Sequence, residues 1–122
     1  MADVEGVAKA FVSHYWTTFD TNRSALAALY NEQSMLTFQN QKFQGQQAIL
    51  QKLQALPFGE CKHRIVSCDA QPSVSGGILV FITGELIAEG ENRPLRFSQV
   101  FHLAPNEGSF YVTNDMFSLQ YG

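Results

Sequence analysis

Residues 95–119, LRFSQVFHLAPNEGSFYVTNDMFSL, determine the fold class of this 122-residue chain. They contain two runs rich in aromatic and β-branched residues, 95–103 and 110–119, and the turn sequence Pro105-Asn106-Glu107-Gly108 separates them. A connection this short joins antiparallel neighbours. The stretch therefore predicts a hairpin of two long strands.

Two more strands precede this hairpin. One begins at His63-Arg64-Ile65-Val66 and ends before Gln71-Pro72-Ser73, and the next covers residues 77–88. A Gly- and Pro-containing turn, residues 90–94, separates the second of them from the hairpin. The four strands together predict an antiparallel meander.

The first half of the chain has helical periodicity instead. Apolar residues recur at helical spacing over residues 3–19, a shorter helix is predicted over 25–30, and a third over 46–56 ends at Pro57. Residues 35–38 and 42–44 predict a short hairpin between the last two helices. We expect one α+β domain, residues 1–122, in which a cone-shaped curved antiparallel sheet wraps around three helices.

Composition limits the possible partners. The formal charge is -3, without a basic run, which disfavours nucleic acid and anionic membranes. The first residues lack the basic flank and apolar run of a signal peptide, so a soluble intracellular protein is expected. Cys61 and Cys68 are interpreted as structural thiols, because their spacing does not match a close metal or redox motif.

Alternate side chains of a strand point to opposite faces of a sheet, so the strand residues divide into two sets. The first set fits an apolar lining of the concave face and comprises Leu86, Ala88, Leu95, Phe97, Phe117 and Leu119. The opposite face has Phe81, Val100 and Met116. Long strands tolerate single exposed apolar residues, but three large ones near mid-strand predict contact with a second copy of the chain.

Little in the sequence indicates catalysis. No phosphate-binding glycine loop, nucleophile motif or metal-ligand spacing occurs, so no cofactor and no metal are predicted. His14, His63 and His102 are interpreted as structural or surface residues. Asp115 has the parity of Phe117 and is the one serious candidate base, although a hydrogen-bonding role at a pocket rim is the alternative.

Seven segments together resemble the nuclear transport factor 2 family. In chain order they are 14–20 (HYWTTFD), 36–38 (LTF), 43–45 (FQG), 56–58 (LPF), 69–72 (DAQP), 96–103 (RFSQVFHL) and 114–117 (NDMF). Each segment is weak by itself, but the set in this order is specific and spans nearly the whole chain.

The resemblance implies the same cone-shaped fold, a homodimer formed through the sheets, and no catalysis. In this family a hydrophobic cavity takes up a phenylalanine from the switch II region of the GTPase Ran in its GDP form, and acidic residues at the rim pair with basic residues of Ran. By position, the cavity corresponds to Phe38, Leu56, Phe58, Cys61, Leu86, Ala88, Leu95 and Phe117. The rim corresponds to Glu89 and Glu91, and a further acidic rim position of some relatives is Gln39 in this chain.

The resemblance also implies binding to the phenylalanine-glycine repeats of nucleoporins. The apolar patch would comprise Val4, Val7 and Phe11, and Val4 stands where the family has an aromatic residue, which predicts weaker repeat binding. The implied role is import of Ran-GDP, with the protein in the cytoplasm, in the nucleus and at the nuclear pore. Small-molecule isomerases and dehydratases share this fold, so the alternative is a pocket enzyme with Asp115 as base, helped by Tyr15 or His63.

Overall fold

The fold combines helices at the N-terminal end with a long-stranded sheet. A computed structural model describes residues 3–56, 61–88 and 93–120, except for the side chains of Cys61, Ala88 and Gln120. In chain order the elements are α1 (Val4–Thr21), a 3-10 helix (Arg23–Leu29), β1 (Tyr30–Phe38), β2 (Gln41–Gln44), α2 (Gln46–Gln54), β3 (Cys61–Pro72), a 3-10 turn (Val74–Gly76), β4 (Ile78–Ala88), β5 (Leu95–Asn106) and β6 (Ser109–Gln120).

Helix α1 confirms the periodicity of the N-terminal segment. The Asp3 side chain caps its first turn by accepting a 3.1 Å hydrogen bond from the Gly6 N–H, which satisfies one of the free donors at the helix end. One face of α1 is buried against the sheet, and the buried residues are Ala8, Val12, Tyr15, Trp16 and Phe19.

The segment predicted as the second helix forms a 3-10 helix instead, and its last predicted residue, Tyr30, begins β1. Tyr30 is extended, with φ -117° and ψ 156°, and this conformation directs its buried side chain into the interior. Strand β1 is therefore longer than the predicted 35–38. Its first half is polar, and Asn31 and Ser34 are hydrogen-bonded to each other. The sequence there therefore lacks the alternation of apolar and polar residues that predicts a strand.

The predicted short hairpin is confirmed. Gln39 and Asn40 join β1 to β2 with φ values of 50° and 73°, the left-handed conformation that a type I′ hairpin turn requires at both central positions. Helix α2 ends at Gln54, two residues before the predicted end, but Leu56 is still buried beside Ile49 and Leu53. The apolar side of this segment thus faces the core, as its spacing predicts.

The six described strands form one curved sheet in the order β2-β1-β6-β5-β4-β3. Strands β3 to β6 are antiparallel neighbours, as their short connections require. The sheet is nevertheless mixed, because β1 pairs with β6 in parallel. Residues 39–108, more than half of the chain, connect these two strands, so no short turn constrains their direction. The α+β fold class with a cone-shaped sheet around the helices is confirmed.

Candidate functional site

The concave side of the sheet holds four packed aromatic residues, which we call the aromatic cluster: Trp16, Phe38, Phe97 and Phe117. Phe38 and Phe117 are stacked, with ring centroids 4.8 Å apart and an interplanar angle of 5°. Phe97 stacks on Phe117 at 5.2 Å, and Trp16 lies 5.1 Å from Phe97. Because these residues come from α1, β1, β5 and β6, the cluster connects the main helix to the centre of the sheet.

Two pairs of the predicted cavity residues are neighbours in the structure, since Phe38 stacks on Phe117 and Leu86 pairs with Leu95. Phe38, Leu56, Leu86 and Phe117 are buried, and Leu95 is half-buried. Strand pairing places Leu86 opposite Leu95 and the backbone of Cys61 opposite Ala88, at the same end of the sheet. Outside the described residues lie Phe58, Glu89 and Glu91, and the side chains of Cys61 and Ala88.

Gly84 on β4 makes room for the aromatic cluster. It pairs with Phe97, and a Cβ atom added to Gly84 would lie 2.9 Å from the Phe97 ring and 2.5 Å from the Arg64 carbonyl oxygen. Real Cβ atoms do not approach other atoms so closely. The Phe97 ring is therefore packed directly on the backbone of β4.

Lys52 and Gln39 make polar contacts beside Phe38 that the sequence does not predict. The Lys52 ammonium lies 5.2 Å from the centroid of the Phe38 ring and donates a 2.9 Å hydrogen bond to Gln41. The Gln39 side chain accepts a 2.8 Å hydrogen bond from the Leu119 N–H, so it extends the pairing of β1 with β6. Lys52 is three residues from Ile49 on α2, and this spacing is the signal that places it near the apolar side.

Asp115 is buried in the interior, not at a rim. Its Oδ2 atom accepts a 2.7 Å hydrogen bond from the Tyr30 hydroxyl and lies 3.5 Å from the Tyr15 hydroxyl, and its Oδ1 atom accepts a 2.8 Å bond from Gln99 Nε2. The two tyrosine hydroxyls are 3.0 Å apart. Side chains of the same molecule therefore occupy the carboxylate, which leaves it poorly placed to abstract a proton from a substrate.

Burial dominates the electrostatics of Asp115. Desolvation raises its pKa to about 6, although hydrogen bonds from Tyr30, Gln99 and Tyr15 favour the charged form and act in the opposite direction. Burial and the nearby Asp115 charge also raise the pKa of Tyr15 and Tyr30 well above the ordinary tyrosine value. Both tyrosines thus remain protonated donors to the carboxylate.

The histidines do not meet at this carboxylate. His63 Nδ1 forms a short hydrogen-bonded pair with Asp20 Oδ2 at the end of α1, and its ring packs on Trp16 with centroids 5.3 Å apart. His14 is exposed on α1, and His102 is on β5 with the outward parity of Val100. The interpretation of these three residues as structural or surface histidines agrees with their positions.

The outer face of the sheet has the apolar row predicted from strand parity. Phe81 pairs with Val100, and Val100 pairs with Met116, so the three side chains are direct cross-strand neighbours. Phe81 is 44% exposed and Met116 is 51% exposed, which is unusual for such large apolar groups. They border a depression of about 420 Å³ together with polar residues that include Ser98 and Ser118.

The predicted nucleoporin patch lies on one flank of α1. Val4, Val7 and Phe11 are all half-buried and pack against the core. Phe11 makes an edge-to-face contact with Phe101, with centroids 5.3 Å apart. Part of each side chain therefore stabilises the fold, and only the remainder is accessible to a partner.

Over residues 3–56, 61–88 and 93–120, no group of three or more His, Cys, Asp or Glu side chains could hold a metal ion. Within the same ranges, no helix has the length and apolar character needed to cross a membrane. Cys68 is a free, half-buried thiol, and burial raises its pKa.

The sequence is similar to a family of known proteins. The family model described as the nuclear transport factor 2 (NTF2) domain matches residues 7–119. Nuclear transport factor 2B of Arabidopsis thaliana is 57% identical over 121 residues, covering 98% of this chain and 96% of that protein. Nuclear transport factor 2 of Schizosaccharomyces pombe is 48% identical over 123 residues, covering 100% of both chains.

The fold has a solved counterpart as well. The structure of nuclear transport factor 2 from Cryptosporidium parvum superimposes with a TM-score of 0.91 at 44% identity, covering 96% of this chain and 94% of that chain. These similar proteins are named as transport factors and not as enzymes, in agreement with the satisfied hydrogen bonds of Asp115.

Proposed function

Since this chain belongs to the nuclear transport factor 2 family, we propose that it is a carrier that binds Ran in its GDP form and moves it into the nucleus. The names of its relatives support a role in nuclear transport. Ran-GDP, phenylalanine-glycine repeats and a second copy of the chain are the partners in this proposal. The protein would act in the cytoplasm, in the nucleus and at the nuclear pore of the nuclear envelope.

The observation that best supports the proposal is the stack of Phe38 on Phe117, with Leu56 and Leu86 also buried on the concave side. Aromatic rings pack favourably on other rings in offset-stacked or edge-to-face arrangements, so a phenylalanine side chain is a suitable occupant. The interior carboxylate of Asp115 already accepts hydrogen bonds from its own chain. The site is therefore better suited to holding an apolar group than to chemistry.

The acidic rim is the second part of the proposal. Glu89 and Glu91 follow β4 directly in the sequence, and β4 ends at Ala88, a predicted cavity residue. Carboxylates there would pair with basic residues beside the inserted phenylalanine and increase the rate and specificity of association. Gln39 contributes no charge, and its side chain is already bonded to the Leu119 N–H.

Homodimer formation through the outer face is the third part. The row of Phe81, Val100 and Met116 exposes large apolar side chains next to a depression that a side chain of a second copy can fill. Contact between two such rows would remove them from water in a two-fold arrangement, which is the commonest symmetry of homodimers. Nucleoporin repeats would then bind weakly on α1 through Val4, Val7 and Phe11.

The proposal is tested by calorimetry of the purified protein with Ran loaded with GDP or with GTP. We expect micromolar or tighter binding to the GDP form alone. Substitutions Glu89→Lys and Glu91→Lys should abolish it. Glu107→Lys is the matched control, because Glu107 is an exposed carboxylate in the turn at the opposite end of β5. Absence of binding to either form, or equal loss in the control, would refute the Ran-carrier function.

A further inference from the structure

A single row of side chains crosses the outer face of the sheet from one edge to the other. Strand pairing places one residue of each strand directly beside the next, and in order from β3 to β2 they are Asp69, Phe81, Val100, Met116, Thr37 and Lys42. We call these six residues the cross-sheet row. Register partners of adjacent strands point to the same face, so all six face outward with Phe81. The row therefore has an apolar middle, one acidic end and one basic end.

The two charged ends do not compensate each other within one copy of the chain. Asp69 on β3 and Lys42 on β2 are on the two edge strands, five strand spacings or about 24 Å apart along the sheet. Salt at 0.1 M screens exposed charges over about 10 Å. Both side chains are exposed, and neither forms an ion pair with another described residue. Each end of the row is therefore available to a charge on another molecule.

The depression on this face is offset from the exposed Phe81 ring. Phe81 on β4 forms one border, and the depression extends across β6, at Met116 and Ser118, to Thr37 on β1. In the strand order β2-β1-β6-β5-β4-β3, strands β4 and β1 are equally far from the midline of the sheet, on opposite sides. The projecting ring and the far border of the depression thus occupy mirrored positions.

We propose that two copies of the chain pack outer face against outer face with the strand order reversed, so that β4 of each copy lies over β1 of the other. The inference rests on the homodimer of the proposed function and gives its geometry. A two-fold axis parallel to the strands produces this arrangement and repeats every contact twice. Phe81 of each copy enters the depression of the other beside Thr37, and Asp69 of each copy faces Lys42 of the other.

The alternative two-fold arrangement keeps the strand order, and the same residues disfavour it. Asp69 would then face Asp69 of the second copy, and Lys42 would face Lys42. Like charges placed opposite each other weaken an interface. Phe81 would meet Phe81 instead of the depression. Both the charges and the shape of the face therefore favour the reversed order.

Charge reversal tests the proposed pairing. Asp69→Lys and Lys42→Asp each replace two attractive contacts per dimer with two repulsive ones, so each should raise the dimer Kd about tenfold. The double variant has opposite charges at both contacts again and should recover the wild-type Kd. The two single variants change the net charge in opposite directions, so a weakening shared by both cannot result from net charge. Sedimentation equilibrium measures each Kd.

Glu107→Lys is the matched control for Asp69→Lys, because Glu107 is exposed in the turn between β5 and β6, outside the cross-sheet row. Its dimer Kd should equal that of the wild type. Charged residues on edge strands also discourage edge-to-edge pairing of sheets, a role that needs no partner charge. Unchanged Kd values in both single variants would establish only that role and overturn the reversed order, while the homodimer would stand.

Weakening in the single variants without recovery in the double variant also overturns the inference. A monomeric wild type refutes the homodimer together with its geometry. None of these measurements uses Ran, so the calorimetric titration with Ran-GDP tests the carrier function separately.

Discussion

The Tyr30 hydroxyl donates a 2.7 Å hydrogen bond to Asp115, which joins the first residue of β1 to the middle of β6 in the interior of the protein. Together with Gln99 and Tyr15, it surrounds the carboxylate with donors from the same chain. This contact has two effects. It gives the carboxylate a structural role, and it makes the stability of the fold depend on the protonation of Asp115.

Protonation of Asp115 in mild acid should increase the free energy of unfolding of the protein. Its pKa is about 6 in the folded chain against 3.8 in the unfolded chain, so the folded state holds the proton more tightly. The stability from this group is therefore fully present below the unfolded pKa and is lost as pH rises through about 6. Between about pH 7.5 and about pH 5 we expect a gain of about 1 kcal/mol from Asp115 alone.

The measurement is urea unfolding at both pH values for the wild type and for Asp115→Asn. The asparagine keeps a carbonyl acceptor for Tyr30 but does not titrate in this range. On acidification the free energy of unfolding of the wild type should increase relative to that of the variant. A constant difference between the two proteins would show that Asp115 has an ordinary pKa in the fold.

The outer apolar row should control the oligomeric state. Phe81→Glu or Met116→Glu places a charge within a contact that would have to exclude water, so each variant should be a monomer in analytical ultracentrifugation. Val66→Glu is the control, since Val66 is 60% exposed on the edge strand β3 and outside this row. Dimers of unchanged strength in both outer-row variants would place the interface elsewhere.

Gly84→Ala should destabilise the fold through the aromatic cluster. The added Cβ would meet the Arg64 carbonyl oxygen at 2.5 Å and the Phe97 ring at 2.9 Å, so β4 or the ring must shift, at a cost of about 1–3 kcal/mol. Gly108→Ala is a useful comparison. Its Cβ would have nothing within 4 Å, and only its φ of +83° costs energy, about 1 kcal/mol. Thermal unfolding should rank Gly84→Ala as the more damaging change, and the reverse order would refute the close packing.

Val4→Phe should strengthen binding to phenylalanine-glycine repeats. Val4 is half-buried at the start of α1, and an aromatic ring in its place would enlarge the accessible apolar patch beside Val7. We expect a severalfold gain in affinity for a repeat peptide, measured by fluorescence anisotropy. Ala10→Phe adds the same ring at an exposed position of α1 and should have no effect. An equal gain in both variants would indicate non-specific hydrophobic binding.

Periodicity predicted the long elements because each has one clear apolar side. The helical spacing of Tyr15 and Phe19 on α1 and the strand parity of Phe97 on β5 correspond to buried positions. The start of β1 was missed because the polar residues Asn31 and Ser34 interrupt the alternation. The parallel pairing of β1 with β6 was also missed, since neither strand sequence specifies its partner.

The site was predicted less completely than the fold. Phe38 and Phe117 were predicted to share one lining, but their direct stacking depends on strand register between distant segments, which neither strand sequence specifies. The sequence pattern does not distinguish Trp16 from the other aromatic residues of α1. Its packing on Phe97 depends on three-dimensional neighbours, and a one-dimensional pattern contains no such information.

The parallel pairing of β1 with β6 also has a consequence for synthesis and folding. Phe38 belongs to the first third of the chain and Phe117 to its last few residues, yet the two rings stack directly on each other. Contacts between such distant segments form slowly, because a long loop must close before they contribute any stability. A nascent chain that lacks β6 therefore lacks Phe117 and the strand that pairs with β1, and the aromatic cluster assembles only after β6 has been synthesised.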